Sequence, residues 1–296
     1  MPRRLLCVAL LCLSLGAQAK SSAKLAIIID DIGYNLTQGK RSAMLQGAYT
    51  LAILPSTPHG PTLARLGRDS GKELILHTPM ANIAGLPLGP GGLENGMSRA
   101  DTLAVLRASL DELPGITGLN NHTGSALTTQ ARPMGWVMGE AARRKLFFID
   151  SRTTASSLAL DVAQAYGLKS AKRDVFLDHS RKPADIRHQL ERAIRIAKRE
   201  GQAIAIGHPY PETLELLEQA ADWFELEGIE LVPASEVASH SPPSSSFCPA
   251  PPQMLRSLLI AAVPPRLHRW WSPLQLIENG YQALFSVYKD DINNPG

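Results

Sequence analysis

Seven short apolar runs recur between Lys24 and Val232: "LAIII" (25–29), "TLAIL" (50–54), "ELIL" (73–76), "GITGL" (115–119), "LFFI" (146–149), "AIAI" (203–206) and "IELV" (229–232). None alternates with polar residues, so each reads as a strand covered on both faces, the environment of a parallel sheet under helices. Helical patterns fill the intervals. Ser98 reads as an N-cap with Asp101 three residues later, followed by a stripe of Leu103, Leu106 and Leu110. A second helix is expected over Pro183–Glu200, with Ile186, Leu190, Ile194 and Ala197 on one face. Alternation repeated about seven times predicts an α/β fold with a parallel sheet, open or closed into a barrel. Hydrophobic residues at 44% against 19% charged exclude global disorder.

The ends of the chain read differently. Residues 1–19, "MPRRLLCVALLCLSLGAQA", combine a basic start at Arg3 and Arg4, an apolar run too short to span a bilayer comfortably, and a small-residue cleavage site. They are expected to be a secretory signal, with an uncleaved anchor as the alternative. Removing them takes the net charge from +3 to +1, which gives no reason to expect a nucleic-acid partner. Cys7 and Cys12 leave as well, so Cys248 has no internal partner and the fold must rest on its core. These features suit a periplasm or another face of the cell envelope. After a domain over 20–240, the Ser/Pro-rich residues 241–252 read as a linker. In the tail, 253–296, Ser272-Pro273 opens an amphipathic helix carrying Leu274, Ile277, Tyr281, Leu284, Phe285 and Tyr288. That helix either packs back on the domain or contacts an envelope partner or membrane surface.

Sites in parallel α/β folds form at the carboxyl ends of the strands, so the residue after each run is diagnostic. Asp30 and Asp31 follow the first run, His77 the third, "NNHTGS" with His122 the fourth, Asp150 the fifth and His208 the sixth. One aspartate after a strand is ordinarily a cap or turn residue. Five strands that each deliver an ionisable group to one rim indicate a catalytic or metal site. His59, His179, His188, His240 and His268 have no such placement and read as surface or structural.

The residue types narrow the chemistry. Adjacent carboxylates repel, so Asp30 and Asp31 both ionise cheaply only beside a cation or in open water. Two imidazoles and a carboxylate suit a divalent ion, zinc first, with positions left for water. Such an ion acidifies bound water, a second carboxylate can accept the proton, and a further histidine can protonate a leaving group. No G-x-S-x-G elbow occurs, and "GPGG" (89–92) lacks the Lys-Ser/Thr of a phosphate loop. The Gly/Pro-rich segment 79–97 directly after a strand is a functional-loop candidate.

The ordered set "IIIDDIG", "ELILHTPM", "GLNNHTGS", "FFIDSRTT", "RDVFLD" and "AIAIGHPY" resembles the polysaccharide deacetylases of carbohydrate esterase family 4, in particular their divergent branch. The resemblance covers about Lys24 to Val232 and implies a distorted (β/α) barrel of about seven strands. It implies that Asp30 is the general base, Asp31 and His77 are metal ligands, and His208 is the general acid oriented by Asp150. It also implies hydrolysis of an acetamide on an N-acetylated sugar. Ordinary members carry a second metal histidine four positions after the first, where this chain has Ala81. His122 is the rim histidine left to fill that place. The usual arginine motif after the fourth strand is absent; Arg152 is the substitute in the sequence, and Asn121 is expected to contact substrate. The alternatives are a retired enzyme that binds a glycan or envelope partner on the same fold, and a hydrolase of a peptide or small amide.

Overall fold

The computed structural model of the chain describes residues 22–244. The expected signal over 1–19, the tail over 253–296 and all but the first four residues of the linker lie outside the described residues. No helix among the described residues is long and apolar enough to cross a membrane.

The elements run β1 (Ala23–Ile32), α1 (Leu36–Met44), β2 (Thr50–Ile53), α2 (Gly60–Asp69), β3 (Glu73–Met80) and α3 (Arg99–Glu112). They continue with β4 (Gly118–Thr123), α4 (Ala131–Arg143), β5 (Phe147–Asp150), α5 (Ala159–Ala165), β6 (Ser170–Lys172) and β7 (Val175–Phe176). The last are α6 (Pro183–Glu200), β8 (Gln202–Gly207), α7 (Pro211–Glu218), α8 (Ala221–Leu226), β9 (Ile229–Leu231) and α9 (Ala234–Val237). Every strand pairing is parallel, in the order β6-β5-β4-β3-β2-β1-β8-β7. β9 lies beside the start of β1, pairing Ala23–Leu25, while β2 takes the other half of that edge from Ile28 on.

All seven apolar runs enter strands, although of "GITGL" only Gly118 and Leu119 lie in β4, which continues to Thr123. The two further strands, β6 and β7, are three and two residues long, and the charged run of Lys172, which ends β6, with Arg173 and Asp174 between the strands hides any apolar pattern. The sheet curls into an incomplete barrel whose edges, β6 and β7, are joined by Arg173–Asp174 rather than by a ladder.

The helices form as their sequences dictate. Ser98 caps α3 by accepting from the Asp101 N–H, and its own hydroxyl donates to the Asp101 carboxylate at 2.7 Å. Pro183 opens α6 at a position whose N–H would be unpaired, and Gly201 ends it at φ 85°. Between them Ile186, Leu190, Ala193, Ile194 and Ala197 are buried, and each large one contributes roughly 1.5–3 kcal/mol.

Strand alternation sorts the remaining side chains. Ala26, Ile28, Ala52, Ile75, Phe147, Ile149, Ile204 and Ile206 form one buried cluster inside the barrel. Leu25, Ile27, Ile29, Leu51, Leu74, Leu76, Leu119 and Phe148 face outward under the helices. Val232, Ala234, Val237 and Ala238 complete the interior cluster from the amino end. There the Ala234 N–H donates to the Thr50 hydroxyl at 3.0 Å and the Ser235 N–H to Glu73 Oε2 at 3.1 Å. Thr50 and Glu73 open β2 and β3, so α9 stops that end. The carboxyl mouth is left for chemistry.

Candidate metal centre

The inward parity of each strand, carried one or two residues further, builds the site. Ala26 and Ile28 lead to Asp30, Ile75 to His77, and Ile204 and Ile206 to His208. On β4, Asn120 and His122 share the inward face, and Asn120 is the ladder partner of His77. Asp31 should point outward by the same rule. Instead it has φ 58°, and the β1–β2 register slips between Ile29 and Ile32. This left-handed kink, which costs a non-glycine residue about 1–2 kcal/mol, turns the second carboxylate back to the mouth beside the first.

Three donor atoms converge there. Asp31 Oδ1 lies 2.8 Å from His122 Nδ1 and 3.1 Å from His77 Nε2, and the two nitrogens are 3.1 Å apart. Bonds of about 2.0–2.2 Å to one shared ion put adjacent ligand atoms roughly 3–3.5 Å apart, so the spacing fits one cation. The chemistry fits as well. Lone pairs of a carboxylate and two neutral imidazoles facing one another repel without a positive charge among them, and Asp31 Oδ1 is buried with no aligned hydrogen bond. Burial opposes ionisation of Asp31, yet without an ion the protons and positive charge that His122 and His77 can carry outweigh it and hold its pKa far below the carboxylate range.

The groups around the triad divide by depth. Asp30 and His77 are 4% and 2% exposed and form the floor; the side chains of Asp31, His122 and His208 are 33%, 28% and 17% exposed and form the mouth. Asp30 Oδ2 is 3.6 Å from His77 Nε2, and His208 Nε2 is 3.8 Å from Asp31 Oδ2. Burial raises the Asp30 pKa against the pull of His77 and His208. Burial disfavours charge on His77 too, but Asp30 and Asp31 overcome it and raise its pKa. For His208 burial is again outweighed, here by the Asp178 hydrogen bond and the Asp30 charge, so its pKa is pushed up to about 9.

Three expectations are corrected. The carboxylate that orients His208 is Asp178, not Asp150: its Oδ1 accepts from His208 Nδ1 at 2.9 Å, and its Oδ2 accepts from the His208 N–H at 2.6 Å and the Thr213 hydroxyl at 2.8 Å. Phe147 and Ile149 point inward on β5, so Asp150 points outward, where it accepts from the Arg152 N–H and the Ser157 hydroxyl and closes its own turn. Asn121, one residue from His122, likewise faces away from the mouth. Fully buried, it accepts from the Ser151 N–H at 2.9 Å and donates to the Thr123 carbonyl at 2.7 Å. The Arg152 guanidinium is turned to the Ala155 and Ser157 carbonyls of its own loop. Arg173, not singled out from the sequence, is the arginine whose charge acts on Asp30; its guanidinium holds the Ser151 and Arg152 carbonyls at 2.7 and 3.0 Å.

A curled parallel barrel, closed below by α9 and carrying an Asp-His-His cluster flanked by a buried aspartate and an Asp-paired histidine, is an architecture of the polysaccharide deacetylase fold. Residues 27–238 match the divergent polysaccharide deacetylase family, and the chain belongs to it. It is 36% identical over 242 residues to the uncharacterized protein YibQ of Escherichia coli (strain K12), covering 80% of this chain and 76% of that one. Among solved structures it is similar to the uncharacterized protein ATU2773 from Agrobacterium tumefaciens C58, at 25% identity and a TM-score of 0.70 over 74% of this chain and 91% of the other. The fold is shared with the catalytic domain of peptidoglycan N-acetylglucosamine deacetylase from Eubacterium rectale, with a TM-score of 0.52 and 12% identity over 76% of this chain and 96% of that chain.

Proposed function

We propose that this protein is an exported, metal-dependent deacetylase that hydrolyses the acetamide of an N-acetylated envelope or extracellular glycan. The observation that carries the reading is one mouth holding an Asp-His-His cluster between a buried carboxylate and a carboxylate-paired imidazole. Asp31, His77 and His122 would hold the ion, and zinc suits their donor set. A divalent ion bound there supplies an electrophile that acidifies water and polarises an amide carbonyl.

The chain's own groups manage the protons. Asp30, made more basic by burial, takes the proton from the attacking water as its oxygen bonds to the acetyl carbon. His208, whose pKa the Asp178 hydrogen bond raises against burial, delivers a proton to the sugar nitrogen as the C–N bond breaks, giving acetate and an amine. Asp178 fixes the proton on Nδ1, so Nε2 is the nitrogen that faces the mouth. Residues 1–19 support export to the periplasm or another envelope face.

Zinc-loaded protein should release acetate from N-acetylated oligosaccharides, and Asp30→Asn should abolish release while zinc stays bound; full activity in Asp30→Asn would remove the assigned base. Ala81, in place of the second histidine of ordinary members, motivates a second reading as a glycan-binding protein without turnover. Metal and glycan bound with no product across a broad panel of acylated substrates would favour it.

A further inference from the structure

Asn120 has no exposed surface and joins the two halves of the mouth. Its Nδ2 donates to Asp30 Oδ1 at 2.9 Å, and its Oδ1 lies 2.7 Å from His77 Nδ1. The direction of this relay follows from chemistry. An ionised carboxylate only accepts, so the amide group facing Asp30 is the NH2. The oxygen then faces His77 and can only accept, which puts the imidazole proton on Nδ1 and the lone pair on Nε2, toward Asp31 and His122. Among side chains of this length, the amide alone donates to a carboxylate while accepting from an imidazole. Aspartate keeps the second contact and loses the first; leucine loses both.

We propose that Asn120 is a positioning residue that fixes the His77 tautomer for metal binding and ties Asp30 to the metal-holding strand. The inference rests on the metal-centre reading and assigns a role beyond it. Removing a group that orients a ligand histidine typically weakens metal binding 10–100-fold. The test is zinc affinity of the full chain, measured by competition with a chromophoric chelator. Asn120→Ala should bind zinc at least about 10-fold more weakly, whereas Asn120→Asp, which still accepts from Nδ1, should stay within about 3-fold of the wild type. In the zinc-loaded wild type, long-range 15N spectra should find the His77 proton on Nδ1. Acetate release by zinc-saturated Asn120→Asp should fall, because Asp30 has lost its donor.

Wild-type affinity in Asn120→Ala, equal weakening in both variants, or a His77 proton on Nε2 would overturn the assignment of Asn120 while leaving the metal centre standing. A wild-type protein that binds no zinc would overturn both. If Asn120→Ala does not fold, the aspartate variant and the tautomer still decide.

Discussion

Replacing Asp178 with asparagine isolates the group that controls His208. The wild-type pKa of about 9 stands roughly 2.5 units above the usual histidine value, equivalent to about 3 kcal/mol of preference for the charged ring. Because the folded-state pKa is raised, that stabilisation is complete below about pH 6.5 and is lost as pH climbs through about 9. Asp178 is the strongest of the groups that raise it, with Asp30 and Asp31 adding charge from the mouth. Asp178→Asn removes the hydrogen-bonded charge and leaves the other two, so the His208 pKa should fall by at least about one unit. Three donors now converge on Asp178, and an amide with a single acceptor oxygen leaves one or more of them unpaired, at about 1–3 kcal/mol of folding stability. The assay is a residue-resolved NMR titration of the His208 ring in chelator-treated protein, with urea denaturation at two pH values beside it. His77 titrates in the same sense, so the His208 signal decides rather than global stability. An unchanged His208 titration in Asp178→Asn would refute the pairing as the source of the shift.

Other consequences are independent. Asp150→Asn should lower the melting temperature, because it disturbs the turn closed on Arg152 and Ser157, while leaving the His208 titration where it was. Glu140, with its side chain 1% exposed, meets Arg107, Arg143 and Arg144; burial pushes its pKa up, but the three guanidiniums outweigh it and hold it at about 2. A depressed carboxylate pKa stabilises above about pH 4.5 and less as pH falls toward 2, so Glu140→Gln should cost about 1–2 kcal/mol by urea denaturation at pH 7, discounted for half-exposed arginines, and converge on the wild type in acid. A Cβ on Gly118 would stand 2.6 Å from the buried Phe147 ring, so Gly118→Ala should cost about 1–3 kcal/mol and show as a lower midpoint in the same assay.

The barrel was legible in the sequence because doubly covered strands leave unbroken apolar runs, and each of the seven runs marks a strand, with β4 starting only at Gly118. β6 and β7 were not, since strands of two and three residues carry no period. The rim was legible as a set of strand ends, and Asp30, Asp31, His77, His122 and His208 do meet in one mouth. What strand ends alone miss is parity. Counting by twos from Ile149 turns Asp150 away, and counting back from His122 brings in Asn120 rather than Asn121. The same count rejects Asp31, which arrives only through a left-handed backbone that no side-chain pattern announces. Asp178 lay inside the quoted "RDVFLD", but β7 was too short to reveal which of its residues reach His208.

The most direct test of the account is a zinc-binding isotherm on the purified chain beside its His122→Ala variant, with metal content measured after dialysis. One ion per wild-type chain and a loss of at least about 10-fold in affinity in the variant is the predicted result. No stoichiometric ion in the wild type, or undiminished binding without the His122 imidazole, would contradict the claim that this mouth was built around a cation.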